Sequence, residues 1–137
     1  MSPLALPLNS LALWCPLGQC VWRGVAFPIE RDDVQKALDE NKLRKTPLGP
    51  NGHRRSHIHR IAWFVANPDW KPIEIDVGVP ELGHTVPWIV EDGNHRLAAA
   101  FYRKDETILA NVGGSLVAAR RILGLDLVIR DNCFAIQ

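Results

Sequence analysis

Residues 88–100 read Trp-Ile-Val-Glu-Asp-Gly-Asn-His-Arg-Leu-Ala-Ala-Ala and predict an apolar strand, a sharp turn and the start of a helix. Gly93 favours such a turn, because glycine adopts backbone angles that other residues avoid. The first turn of a helix presents unpaired N–H groups and the positive end of the helix dipole, and both favour a phosphate ligand. His95 and Arg96 lie in that turn, and a guanidinium can bind phosphate through two hydrogen bonds. The alternative is a purely structural turn, in which Asp92 caps the helix and the side chains of His95 and Arg96 face solvent.

The flanking sequence predicts short strands and short helices in alternation. Residues 72–79 alternate apolar and polar side chains, as a half-buried strand does, and we expect this strand to be central in its sheet. Ser115 and Gly124 are typical of the start and the end of a helix between them. The other expected helices span residues 31–44, 57–67 and 94–103, and the other expected strands span residues 86–90, 107–112 and 125–129. This order predicts a single α/β (α+β) domain over residues 1–137, with a small mixed sheet flanked by short helices.

The composition is that of an ordinary globular domain. The chain has 137 residues, of which 47% are hydrophobic and 23% are charged, and this apolar content excludes a wholly disordered protein. The formal net charge of +1 argues against a uniformly basic nucleic-acid-binding protein. Most of the five tryptophans are expected in the core: Trp14, Trp22, Trp63, Trp70 and Trp88.

One local segment, residues 42–60, is strongly basic, with six lysine and arginine residues and no acidic residue. Its proline and glycine residues predict a loop over residues 46–56. We expect Arg54, Arg55 and Arg60 to contact a nucleic-acid backbone, and we expect the segment to lie beside the phosphate site. A solvated basic loop is the alternative.

No metal site is predicted from the sequence. His57 and His59 are two residues apart and do not face one another on a helix. Glu74 and Asp76 share one face of a strand and could bind a metal together with Asp92 or Glu91, but a solvated strand face is the more ordinary interpretation of that pattern.

The N-terminal segment and the cysteines bear on the compartment. Residues 1–22 contain no charged side chain, but prolines interrupt the apolar run. We therefore expect a strand or helix against the core rather than a signal peptide or a membrane anchor. Cys15, Cys20 and Cys133 fit neither a zinc site nor an even-numbered disulfide framework. The expected location is the cytoplasm, without a membrane partner.

The run Asp92-Gly93-Asn94-His95-Arg96-Leu97-Ala98-Ala99-Ala100 resembles the phosphate-binding signature of the ParB/sulfiredoxin superfamily, whose members carry a D-G-x-(H/R)-R-x-x-A pattern after a strand. Residues 72–77 look like the P-I-x-V strand of that family, and the likeness covers residues 57–115. The resemblance implies that Gly93, Asn94, His95 and Arg96 contact nucleotide phosphates. It implies ATP or CTP as the bound nucleotide, with Mg²⁺ as an additional candidate.

Two departures from the family restrict what the resemblance implies. Sulfiredoxins place a catalytic cysteine directly before the His-Arg pair, whereas this chain has Asn94 there, which argues against sulfinic acid reduction. Partition proteins continue into a helix-turn-helix domain and a dimerisation domain, whereas this chain ends soon after the motif. The resemblance therefore implies a stand-alone ParB-like core of the kind found on plasmids, phages and bacterial mobile elements.

The implied activity is that of a hydrolase, either an ATP or CTP hydrolase or a DNA nuclease. Arg96 would hold the phosphate and stabilise developing charge, and Asp92 and His95 would act as general acid and base. The alternative is a non-catalytic nucleotide- or DNA-binding module that inhibits or regulates a partner. A third hypothesis is a toxin that transfers a group from a nucleotide cofactor.

Overall fold

The computed structural model describes residues 2–18, 21–22, 25–50 and 52–137. Within these ranges it contains four α-helices, a four-stranded sheet and a two-stranded sheet, and this mixed α+β fold confirms the predicted class. The chain divides into two compact units. The sheet unit comprises Met1–Leu13, Trp70–Gly93 and Glu106–Gln137, and the helical unit comprises Trp14–Asp69 and Asn94–Asp105.

The larger sheet contains β1 (Leu4–Pro7), β2 (Ile73–Asp76), β3 (Val90–Asp92) and β4 (Thr107–Gly113), in the order β1-β4-β2-β3. β2 and β4 run parallel, and both edge strands are antiparallel to their neighbours. β2 is thus an interior strand, as its alternating sequence predicts, and the side chains of Ile73 and Ile75 are buried. The sheet is mixed, which confirms the prediction.

β3 lies later in the chain than predicted. The sequence predicts a strand over residues 86–90, whereas β3 spans Val90–Asp92. Pro87 has no N–H group to donate to a neighbouring strand, and it lies outside the ladder. The chain before it forms a short 3-10 helix, Pro80–Leu82, and an isolated bridge between Val79 and His84.

The C-terminal part of the sheet unit contains one confirmed helix and a hairpin of which only the first strand, expected over residues 125–129, was predicted. α4 (Leu116–Leu123) begins after Ser115, whose Oγ accepts a hydrogen bond from the N–H of Ala118, and it ends at Gly124 in the left-handed conformation, as predicted. β5 (Leu127–Arg130) and β6 (Cys133–Ile136) then form an antiparallel hairpin. Asp131 and Asn132 connect them with φ values of 50° and 65°, the backbone of a tight two-residue hairpin turn.

The helical unit consists of α1 (Arg31–Asp39), α2 (Arg54–Ala66) and α3 (Asn94–Arg103), with α1 packed on α2 and α2 packed on α3. Their buried faces are apolar: Val34, Ala37, Ile58, Ile61, Ala62, Leu97 and Ala98. Arg103 stabilises the end of α3, because its guanidinium donates a hydrogen bond to the carbonyl of Phe64 at 2.9 Å and forms an ion pair with Asp105 at 2.8 Å.

Two predicted helix boundaries are wrong. α1 ends at Asp39 rather than residue 44, because Asn41 adopts a φ of 52° and the N–H of Lys42 bonds back to the carbonyl of Ala37. This arrangement closes a helix in the same way as a C-terminal glycine. α2 begins at Arg54 rather than residue 57, so the predicted loop is shorter and Arg54 and Arg55 are helical.

The N-terminal segment lies against the core, as predicted. β1 continues into a 3-10 helix, Leu8–Trp14, and Leu6 and Leu11 are fully buried. Across the described residues, none of the helices combines the length and the apolar character needed to cross a bilayer. The expectation of core tryptophans is correct for Trp22, which is buried, and wrong for Trp70, which is 66% exposed.

Candidate functional site

The turn at Gly93 forms as the sequence predicts. Gly93 has a φ of 102° at the end of β3, and α3 begins at the next residue. His95 and Arg96 occupy the first turn of α3, and both side chains are half-buried rather than fully exposed. Asn94, predicted to contact phosphate, is buried with an exposed fraction of 5%.

A hydrogen bond between two imidazoles is the central feature of the helical unit. Nδ1 of His57, on α2, lies 2.9 Å from Nε2 of His95, on α3. The two rings are nearly parallel, with an interplanar angle of 13° and centroids 5.1 Å apart. One nitrogen must carry the shared proton and the other must accept it, so at least one imidazole of this pair is neutral. We call these two residues the histidine pair.

The indole of Trp22 packs against both members of the histidine pair. Its ring centroid lies 5.3 Å from that of His57 and 5.4 Å from that of His95, edge-to-face in both cases. Trp22 is 2% exposed, and its Nε1 is buried without a hydrogen-bond partner among the described residues. This contact restricts the orientation of both imidazoles and shields them from water.

The surroundings of the histidine pair favour neutral imidazoles. Burial, followed by the proximity of His57 and Arg60, lowers the pKa of His95 from 6.5 to about 3. Burial also lowers the pKa of His57. Both shifts follow from the cost of placing a charge in a desolvated, positively charged environment. At neutral pH the pair is therefore uncharged.

The positive charge of Arg60 acts on His95 of the pair. Burial and the charges of Arg44 and Arg96 lower the pKa of Arg60, while Asp69 acts in the opposite direction. A guanidinium remains charged in spite of such a shift, so Arg60 is a cation that lies near two further cations. Arg60 is held by bonds to the carbonyls of Arg44 and Lys45 and lies over the ring of Phe64, 4.4 Å from its centroid. We call His57, Arg60, His95 and Arg96 together the His/Arg cluster.

A cleft of about 300 Å³ opens along the start of α2 in the same unit. Arg44, Leu48, Pro50, His53 and Ser56 contribute to its walls. Ser56 precedes Arg60 by four residues, the spacing that places two side chains on one face of a helix. Arg44 belongs to the cleft and also acts on Arg60, so the cleft and the His/Arg cluster are neighbours.

The three arginines predicted to bind nucleic acid lie in different surroundings. Arg54 pairs with Asp33 at 2.8 Å and donates to the carbonyl of Pro28 at 2.7 Å, so it serves the packing of α1 on α2. Arg55 is exposed on α2. Arg60 belongs to the His/Arg cluster. The structure thus brings one of the three to the predicted phosphate residues His95 and Arg96.

The acidic candidates belong to the sheet unit. Asp92 is exposed on β3, where it stands opposite Glu74 in the ladder with β2. The carboxylate of Glu74 accepts from the amide of Asn111 at 2.9 Å, and that of Asp76 accepts from the N–H of Gly78 at 2.8 Å. In residues 2–18, 21–22, 25–50 and 52–137, no three His, Cys, Asp or Glu side chains are arranged to hold a metal ion. Cys20 lies outside these ranges, the thiol of Cys15 donates to the carbonyl of Leu17 at 3.3 Å, and Cys133 is a free thiol.

Sequence reasoning missed the role of His57 and Trp22. His57 was weighed as a metal ligand with His59, but its partner is His95, 38 residues away. Only the packing of α2 on α3 brings these two residues together, and no short-range spacing in the sequence predicts this contact. Comparison with family models, with curated proteins and with solved structures finds no match to this chain.

Proposed function

We propose that this protein binds the phosphates of a nucleotide, ATP or CTP, at the His/Arg cluster, as a ParB-like nucleotide-binding domain. The observation that carries the proposal is that Arg60 of α2 and Arg96 of α3 lie together beside the start of α3. Arg96 belongs to the run of residues 92–100, which resembles the family's phosphate signature. Burial and the positive charges of Arg44 and Arg96 lower the pKa of Arg60, so positive charge is crowded around its guanidinium. A polyphosphate relieves this repulsion, because each guanidinium can donate two hydrogen bonds to phosphate oxygens.

The cleft along α2 supplies room for the nucleoside. Its volume of about 300 Å³ is at the lower end of the range typical of small-molecule sites. Leu48 and Pro50 offer apolar surface to a base, while Ser56 and His53 offer hydrogen-bonding groups. The phosphates then extend along α2 toward Arg60 and Arg96.

The proposed activity is hydrolysis, of ATP or CTP or of a DNA phosphodiester, and the alternative is a non-catalytic module that binds a nucleotide or DNA and regulates a partner. Mg²⁺ would enter with the nucleotide. The free thiol of Cys133 suits the cytoplasm, which we propose as the location.

Isothermal titration calorimetry tests the proposal. ATP, CTP, inorganic triphosphate and a short DNA duplex are titrated into the protein, with and without Mg²⁺. We expect one of the two nucleotides to bind with a stoichiometry of one, more tightly than inorganic triphosphate, because the cleft adds contacts to the nucleoside. Binding of DNA alone would favour the nuclease or DNA-binding alternative.

Matched variants assign the binding to the cluster. Arg96→Ala and Arg60→Lys should weaken nucleotide binding, because both alter guanidinium contacts to phosphate. Arg121→Ala, at an exposed position of α4 in the sheet unit, should bind as the wild type does. Equal affinities for the wild type and Arg96→Ala would reject the proposed site.

A further inference from the structure

The histidine pair has the arrangement of a base and its positioning partner. Nδ1 of His57 is occupied by His95, which leaves Nε2 of His57 as the nitrogen able to face a ligand. When His57 donates its Nδ1 proton to Nε2 of His95, the Nε2 atom of His57 carries a bare lone pair. A base held in one tautomer by a second group is a recurring arrangement in catalysis.

The position of the pair suits proton transfer next to a phosphate. On α2, His57 follows Ser56, which lines the cleft, and precedes Arg60 by three residues. On α3, His95 directly precedes Arg96. Among the described residues, Trp22, from the segment before α1, packs against both imidazoles, and the charge of Arg60 from α2 acts on His95. Burial lowers the pKa of His57, and burial together with His57 and Arg60 lowers that of His95, so both imidazoles are neutral bases at neutral pH.

We propose that His57 is the catalytic proton acceptor for hydrolysis of a nucleoside triphosphate, and that His95 is its positioning residue. This inference rests on the proposed function, because it requires the phosphates to lie at the His/Arg cluster. It assigns a role to His57, which the motif around Gly93 does not contain.

The reaction is the attack of water on the terminal phosphorus. The water oxygen forms a bond to phosphorus, and one water proton passes to Nε2 of His57. The bond between that phosphorus and the bridging oxygen breaks, and its electron pair leaves with the nucleoside diphosphate. His57 then releases its proton to solvent, so that the products are the diphosphate, inorganic phosphate and one proton. Arg60 and Arg96 offset the charge on the phosphoryl oxygens during the step.

Phosphate release and binding are measured on the same variants. The wild type should release phosphate from the triphosphate that it binds, in the presence of Mg²⁺. His57→Gln should lower the rate at saturating triphosphate at least about a hundredfold, the usual contribution of a general base. Titration of a non-hydrolysable triphosphate analogue into the same variant separates a loss of turnover from a loss of binding. His59→Gln is the matched control on the same helix and should keep both properties.

The pH profile distinguishes the positioning role of His95 from a purely structural one. The wild-type rate should fall about tenfold per pH unit below the apparent pKa of the pair, and His95→Gln should move this inflection as well as lowering the rate. If His57→Gln proves unfolded, His57→Asn takes its place, and phosphate release by a folded His57→Asn at the wild-type rate overturns the proposal.

The outcomes separate this inference from the proposed function. Binding of a nucleotide without phosphate release, or phosphate release that survives His57→Gln, overturns the role of His57 and leaves the binding site standing. Failure of the wild type to bind any nucleotide rejects both.

Discussion

His57 and His95 are joined by a 2.9 Å hydrogen bond between Nδ1 of the first and Nε2 of the second, across 38 residues of sequence. The bond connects α2 to the first turn of α3, next to Arg60 and Arg96. It therefore couples the packing of two helices to the protonation of the residues at the proposed phosphate site.

Acid should destabilise the protein through His95. Its pKa is lowered from 6.5 to about 3 in the folded state, so between these values the unfolded chain binds more protons than the folded one. The free energy of unfolding should therefore fall as the pH falls from about 6.5, with a slope approaching about 1.4 kcal/mol per pH unit from this group. Urea denaturation at several pH values measures this slope.

Variants of two histidines provide the control for that measurement. His95→Gln should flatten the dependence between pH 6.5 and 4, because the titrating group is gone. His84→Gln, at an exposed position in the sheet unit, should keep the wild-type dependence. Identical slopes for the wild type and His95→Gln would contradict the assigned environment of this imidazole.

Adjacent arginines on α2 should differ in their effect on stability. Arg54→Ala should lower the free energy of unfolding by about 1 kcal/mol, because it removes the pair with Asp33 and the bond to the Pro28 carbonyl. Arg55→Ala should change it by less than about 0.5 kcal/mol, because Arg55 is exposed. Thermal denaturation of both variants checks this, and a reversed order would mean that the contacts of Arg54 do not form.

Those features that depend on local sequence were predictable. The start of α3 follows Gly93, and the two ends of α4 lie at Ser115 and Gly124. These boundaries depend on backbone angles and capping hydrogen bonds, which neighbouring residues determine. The β5–β6 hairpin could also have been found, since Asp131 and Asn132 tolerate the positive φ of its turn.

The histidine pair could not be predicted, because it depends on tertiary packing. Residues 57 and 95 meet only after α2 packs on α3, and Trp22 covers them from a third segment without regular structure. The end of α1 was missed for a different reason. Asn41 supplies the left-handed closing residue that a glycine usually provides, and the basic residues after it look like the last turn of a helix.

Two consecutive glycines after β4 should respond differently to alanine. Gly114 has a φ of 104°, and a Cβ atom there would lie 2.5 Å from the carbonyl oxygen of Gly78. A Cβ atom on Gly113 would meet its nearest neighbour, the carbonyl oxygen of Ile75, at 3.7 Å, an ordinary contact. Gly114→Ala should therefore cost about 2 kcal/mol or more, and Gly113→Ala less than about 1 kcal/mol. Chemical denaturation distinguishes them, and equal losses would refute the turn geometry.

Arg96→Ala should weaken nucleotide binding without unfolding the protein. A charge-assisted hydrogen bond to phosphate contributes about 1.5–3 kcal/mol, which corresponds to a tenfold to hundredfold loss of affinity. The melting temperature should stay close to that of the wild type, because the side chain is only half-buried on the first turn of α3. Calorimetric titration beside a thermal melt gives both values, and an unfolded variant would show that Arg96 supports the fold instead.

Nuclear magnetic resonance of ¹⁵N-labelled histidine side chains tests the central claim most directly, since it observes the imidazoles of His57 and His95 during a titration with ATP or CTP. At neutral pH both rings should give the signals of neutral imidazoles, because burial lowers both pKa values. Addition of the bound nucleotide should shift the signals of His57 and His95 and leave that of His84 unchanged. Unaltered signals of the histidine pair at millimolar concentrations of both nucleotides would contradict a phosphate site at the His/Arg cluster.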